Sequence, residues 1–340
     1  MKKIILYLLL ISINISTAQE CTPASIWHEF AKKGGLERNA ILPSFILDIV
    51  RDEKQNQAIP PKTDSISRVT TYNVHGFKDS FKKKDYQQIL TVIKDINPDI
   101  LLLQEVIFFA GNSINNDFEK MGYTYQTFMP MQPNFGNMIF SKYPFTQKPF
   151  KKTYAIDIED KHKGDKHNFI NTVIRLPDGN TISVYATHLD KPRASDNRQL
   201  EETKDLISFV IKNDKNSNIL LAADWNAVRE RDFDYAIDGK SAWEIYSNNF
   251  ITLQKGPKKL LAVPTDALAH IEQHGFQDCF TRAALPVPKY SCWNGTMVDF
   301  IFCSRDWNLP IAGAYIYFTP ASDHLPVIMD IELKAIKAKL

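Results

Sequence analysis

Eight residues of this 340-residue chain combine reactive or ligating side chains with a recurring placement. Asn73, Glu105, His188, Asp224, Asn226, Asp299, Asp323 and His324 stand in or beside six apolar runs: TTYNVHG, LLLQEV, VYATHLD, LLAADWN, MVDFIF and PASDHLP. Taken singly, most have ordinary roles. An asparagine at a strand end forms turns, a glutamate there faces water, and a histidine hydrogen-bonds within a core. Asp299 is the exception, because a lone carboxylate inside an apolar run is costly to bury and demands a partner. Six runs each carrying a carboxylate, amide or imidazole point to one polar pocket at a sheet edge.

The residue types suit one chemistry. Glu105, Asp323 and with them Asp224 are hard oxygen donors, which favour magnesium, manganese or calcium. No CxxC spacing occurs and the histidines are scattered, so a zinc cage is not indicated. Hydrolysis of a phosphate ester needs charge neutralised on the non-bridging oxygens, an activated water and a stabilised leaving oxygen. Asn73, Asn226, His188 and His324 can donate to a phosphate. Asp224 can orient or deprotonate water. Asp299 can hold His324 in one tautomer and favour its charged form.

These residues need strands to carry them. RVTTYNV, DILLLQEV, NMIFSKYP, FINTVIRL, TISVYATHL, NILLAADWN, MVDFIFC, GAYIYF and PVIMDIEL read as strands, with PDGN joining two of them as a hairpin. KDYQQILTVIKDIN places Tyr86, Ile89, Leu90, Ile93 and Ile96 on one helical face, ended by Pro98. SDNRQLEETKDLISFVIKN reads as a long amphipathic helix, and PTDALAHIEQHGF as one capped by Thr265. Many strands with a few helices between them predict two packed sheets with helices outside.

Composition is that of a globular chain, 44% apolar and 24% charged. Residues 1–18, MKKIILYLLLISINISTA, have a lysine-led apolar run ending in small residues, the pattern of a cleaved signal peptide. Lys2 and Lys3 are its only charges, so cleavage would take the net charge from +2 to zero and leave no global field for polyanions. The expectation is a secreted or periplasmic protein with no stable membrane insertion after cleavage. Residues 19–65 read as a helical extension and linker, and 66–334 as the catalytic domain. Cys21, Cys279, Cys292 and Cys303 could oxidise in an exported chain, with Cys279–Cys292 the expected pair.

TYNVHG, LLLQE, NMIFSKYP, YATHLD, AADWN, VDFIFCS and SDHLPV occur in the order seen in the endonuclease/exonuclease/phosphatase superfamily. The chain resembles that superfamily over about residues 66–334. The resemblance implies a four-layer α/β/β/α sandwich, two mainly antiparallel sheets face to face with helices outside. It implies Mg2+ or Mn2+ held by Asn73, Glu105 and Asp323. Asn73 would also lie beside the phosphate, His188 would contact it, and Asp224 with Asn226 would position water and a phosphoryl oxygen. Asp299 would orient His324. ADWN departs from the commoner glycine-first pattern, placing a methyl group before Asp224.

The implied activity is phosphodiester hydrolysis, with nucleic acid the leading substrate. A phospholipid or phosphoinositide phosphohydrolase, or a tyrosyl-DNA phosphodiesterase-like enzyme, is the alternative. THLDKPRASDNRQLEE resembles the latter branch, and EDKHKGDKH is a basic loop suited to a polyanion. A non-catalytic binding module on this fold would lack the glutamate or the terminal acid–histidine pair. Both are present. No protein partner is implied.

Overall fold

The computed structural model describes residues 59–78, 85–107, 114–155, 167–191, 197–237, 239–244, 246–247, 265–292 and 295–334. The expected signal segment, the helices expected within 20–53 and most of the basic loop lie outside the described residues. Among the described residues fourteen strands and five α-helices follow in order: β1 (Ile66–Asn73), α1 (Tyr86–Ile96), β2 (Ile100–Ile107), α2 (Ile114–Lys120), β3 (Tyr125–Gln132), β4 (Phe135–Ser141), β5 (Phe150–Thr153), β6 (Asn168–Arg175), β7 (Thr181–His188), α3 (Arg198–Asn213), β8 (Ile219–Asp224), β9 (Ala236–Ile237), β10 (Lys240–Ser241), α4 (Asp266–Gln273), β11 (Gln277–Asp278), α5 (Cys279–Arg282), β12 (Asp299–Cys303), β13 (Ile311–Ile316) and β14 (Val327–Glu332).

Two six-stranded sheets result, ordered β13-β14-β1-β2-β4-β3 and β11-β12-β8-β7-β6-β5. Each holds one parallel pair, β1 with β2 and β7 with β8, and is otherwise antiparallel. Alternation along a strand sends successive side chains to opposite faces. Ile100 and Leu102 of β2 therefore join the large core shared with the second sheet, while Leu101 and Leu103 join the core under α1. This is the expected α/β/β/α sandwich.

Local chemistry sets the helix ends. Asp85 accepts from Gln88 N at 3.1 Å and opens α1, and Asn97, left-handed at φ 51°, closes it ahead of Pro98. Val92 joins Ile89, Leu90, Ile93 and Ile96 on the buried face, and Tyr86 is only half-buried. Thr265 stands at the start of α4 but makes no side-chain capping bond, contrary to expectation. The PDGN hairpin forms between β6 and β7, with Gly179 at φ 88°.

The described part of the expected linker is pinned rather than free. Lys62 pairs with Asp99 at 2.5 Å, and Arg68 donates to the Pro60 carbonyl. Arg68 also grips Asp330 with two hydrogen bonds, at 2.7 and 2.8 Å, tying β1 to β14 inside the protein. The expected Cys279–Cys292 bridge is not formed: Cys279, Cys292 and Cys303 are buried, and no disulfide joins them. Burial pushes the Cys279 thiol well above its ordinary value, so it sits in the core as a small apolar group.

Candidate active site

Strand direction assembles the site. Because β1 and β2 run parallel, Asn73 and Glu105 reach the same sheet edge. β14 runs antiparallel to β1, so Asp323 and His324, just ahead of it, arrive there too. The second sheet repeats the device. His188 ends β7 opposite Asp224 at the end of the parallel β8, and Asp299 begins the antiparallel β12, also opposite Asp224. Three strands of each sheet thus bring all eight expected residues to one edge, where the sheets face each other.

Two of these eight residues adopt left-handed backbone to fit. Glu105, at φ 56°, lies where β2 shifts register against β4 between Leu103 and Val106. Such a bulge re-aims a side chain. Asn226 has φ 47°, and its N–H donates to Asp224 Oδ1 at 2.9 Å while Trp225 between them fills the core. Non-glycine residues in this region store about 1–3 kcal/mol of strain, which the surroundings must offset. Ala223, the departure before Asp224, is simply buried beneath the site.

The side chains form one connected array. Asn73 Nδ2 donates to Asp224 Oδ2 at 2.9 Å and to Glu105 Oε1 at 3.2 Å. His188 Nε2 lies 3.1 Å from Asn226 Nδ2 and 3.4 Å from Asp224 Oδ2. His324 Nδ1 lies 2.8 Å from Asp299 Oδ2, and its Nε2 is 3.7 Å from Asp224 Oδ2. Asp323 faces His75 Nδ1 at 3.1 Å. Asp224 is the centre, touched by both histidines and by Asn73.

Charge follows from these contacts. Burial alone would raise Asp224, but His324, His188 and Asn73 hold its carboxyl well below the usual range. Burial opposes a charge on His188, yet the Asp224 hydrogen bond and the Asp224 and Glu105 charges lift it to about 8. Burial likewise opposes a charged His324, and Asp299 overrides it, pushing the imidazole well up. Burial pushes Asp299 itself up to about 6. Asp323 is drawn down against its burial by His75 and His324.

Two groupings offer donors to a cation. Asp224, Asp299 and His324 present ligand atoms all within 4.8 Å of one another. Asp299 Oδ2 and His324 Nδ1 already bond each other, and a charged imidazole repels a metal. Glu105 and Asp323 are the better match, as carboxylates whose side chains keep 23% of their surface open, leaving room for the waters that magnesium retains. Asn73 lies beside Glu105. Its oxygen accepts from His75 N at 2.9 Å and its amide turns N–H toward the site.

Residues 70–324 match the Endonuclease/Exonuclease/phosphatase family. The chain belongs to that family. Its members hydrolyse phosphoric esters, characteristically with a divalent metal, and this chain is an enzyme of that class. No curated protein matches the sequence. Among solved structures, a family member from Beutenbergia cavernae is 18% identical, covering 79% of this chain and 72% of that one with a TM-score of 0.57. The human Nocturnin catalytic domain with bound sulfate is 16% identical over 83% of this chain and 98% of its own, TM-score 0.58. The 3'-5' exonuclease NExo from Neisseria meningitidis is 16% identical over 78% and 99%, TM-score 0.55. At these identities the likeness is one of fold.

Three contributors escaped the sequence reading. Ser291 donates its hydroxyl to Asp299 Oδ2 at 2.7 Å and accepts the N–H groups of Val298 and Asp299. Ser322 donates to the Asn73 carbonyl at 2.7 Å, joining the terminal pair to β1. His75 pairs with Asp323. His75 stands beside a glycine within TYNVHG and Ser322 directly before Asp323 within PASDHLP, whereas Ser291 had no such signal.

Proposed function

We propose that this enzyme is an exported phosphodiesterase that uses magnesium or manganese and cleaves nucleic acid. The observation that carries the reading is the Asp224 hub, which places an orienting carboxylate between two histidines and beside Glu105. Glu105 and Asp323 would hold the cation, which supplies Lewis-acid polarisation of a phosphoryl oxygen when bound. Asp224 is anionic and aligns the attacking water, taking its proton as the new O–P bond forms. His188 and Asn226 donate to the non-bridging oxygens, where preorganised donors act on developing charge. His324, kept charged by Asp299, neutralises the phosphate as the ester P–O bond breaks and the leaving oxygen departs.

Nucleic acid is favoured because a related structure, the 3' phosphatase NExo, was captured with a product DNA hairpin at a TM-score of 0.57. The deciding experiment offers the protein, with magnesium, plasmid DNA, RNA, sphingomyelin, phosphoinositides and a 5′-phosphotyrosyl oligonucleotide. Cleavage of DNA or RNA is expected. Turnover of lipid alone would replace the nuclease reading. Export rests on residues 1–18, and N-terminal sequencing of protein from outside the cytoplasm is expected to begin near Gln19.

A further inference from the structure

The first turn of α3 does not behave as the start of a surface helix. Gln199 and Glu202, three residues apart and hence on one face, are 5% and 1% exposed. Burying either without a partner would cost about 1–3 kcal/mol. Neither is needed to pack the helix, because Leu206, Ile207 and Val210 also face inward. Their polar atoms go to the two strand ends of the site. Gln199 Nε2 donates to the Asn226 carbonyl. Glu202 Oε2 accepts the Asp190 N–H at 2.9 Å, two residues beyond His188.

Those bonds complete a backbone lock. Leu189 N donates to the Asp224 carbonyl at 3.1 Å, and Leu189 O accepts from Asn226 Nδ2 at 3.0 Å. His167 Nδ1 lies 3.1 Å from the His188 carbonyl. Within this lock Asn226 holds a left-handed backbone, and its side-chain amide donates to Leu189 O and stands 3.1 Å from His188 Nε2. Freeing the Asn226 carbonyl would let that residue relax and carry its amide away from His188.

We propose that Gln199 and Glu202 are positioning residues that clamp the ends of β8 and β7, so that α3 sets the spacing between Asn226 and His188. The proposal rests on the reading of this site as the hydrolytic centre. The clamp acts on geometry at the reacting centre, so it is felt in kcat more than in KM.

The experiment is a double-mutant cycle of Gln199→Met, which keeps the length and removes the donor, with Asn226→Ala. It is read as kcat and KM on whichever ester the wild type cleaves. Gln199→Met is expected to lower kcat on the order of 10-fold, the worth of one hydrogen bond, with KM within about twofold. In the Asn226→Ala background the same change is expected to add less than about twofold, because the two residues act as a unit. Glu202→Gln, which keeps an acceptor for Asp190 N, is expected to recover most of the turnover that Glu202→Leu loses. A second readout needs no turnover: the His188 ring signal in NMR is expected to shift in Gln199→Met but not when Asn226→Ala is already present. Gln199→Glu, which sets an acceptor against the Asn226 carbonyl, stands in if the methionine variant does not fold by circular dichroism. An unshifted His188 signal, or an undiminished Gln199 effect in the Asn226→Ala background, overturns the clamp. Absence of any esterase turnover in the wild type would overturn the functional reading instead, and the NMR arm would still decide the clamp.

Discussion

His324 Nδ1 and Asp299 Oδ2 are 2.8 Å apart in a site where both side chains are buried. Ser291 bonds the same Asp299 oxygen, while Asp299 Oδ1 has no hydrogen-bond partner. An aspartate so placed can fix the imidazole. Asp299→Asn is expected to lower turnover about 10²–10⁴-fold with the fold intact, as in other acid–histidine pairs. His324→Ala added to it is expected to cost little more. Steady-state kinetics with circular dichroism on the two single variants and the double decides it; fully multiplicative losses would break the pairing.

On the proposed reading, Glu105 and Asp323 take their cation from solution. Extensively dialysed protein is expected to be inert in chelator and to regain turnover with magnesium or manganese. Glu105→Gln is expected to lose on the order of 10²-fold or more in turnover, several kcal/mol of transition-state stabilisation, and to bind manganese more weakly by calorimetry. Full turnover in chelator would remove the metal from the mechanism.

Glu202 is raised by burial from 4.5 to about 8, with Asp190 adding to the shift and its N–H bond opposing it. A carboxyl whose folded value lies above its unfolded value binds more protons when folded. Its contribution to stability is therefore complete below about pH 4.5 and is lost as pH rises towards 8. Urea unfolding at pH 5 and pH 8 is expected to show a smaller decline for Glu202→Gln than for the wild type. Parallel declines would mean that Glu202 is ionised in the folded protein.

Arg68 and Asp330 are 2% and 3% exposed and meet in a two-bond pair joining the first and last strands. Asp330→Ala would strand the guanidinium, at about 3–5 kcal/mol. Arg68→Met with Asp330→Leu is expected to recover much of that loss. Denaturant midpoints of the three variants test both statements; a single variant within about 1 kcal/mol of wild type would show that the Ile96 and Pro60 carbonyls alone satisfy Arg68.

The residues readable from sequence were those that violate an apolar pattern. Glu105 after three leucines and Asp299 before FIF announce themselves, and strand direction then brings them together. β5, FKKT, and β3, YQTFMPMQ, are edge strands facing largely outward, so neither carries a clean alternation. Ser291 lies eight positions ahead of the aspartate it serves, in a turn whose path no local pattern specifies. The disulfide expectation came from counting cysteines. Burial placed those thiols in separate parts of the core, Cys279 in α5 and Cys292 beside His324. Asn73 stands at the same sheet edge, and which of its atoms faces inward depends on His75 N, a contact no spacing rule reveals.

The pairing of β1 with β14 also sets the order in which the protein becomes itself on the ribosome. β1 emerges early and lies inside its sheet, yet one flank stays unpaired until the last strand has been made. Asp323 and His324 immediately precede that strand. A nascent chain therefore carries an open β-edge and an incomplete candidate site for most of its synthesis, and both are closed by the same event. Translation that stops short of residue 323 is expected to yield a product that lacks the acid–histidine pair and is prone to pair its free edge with another chain.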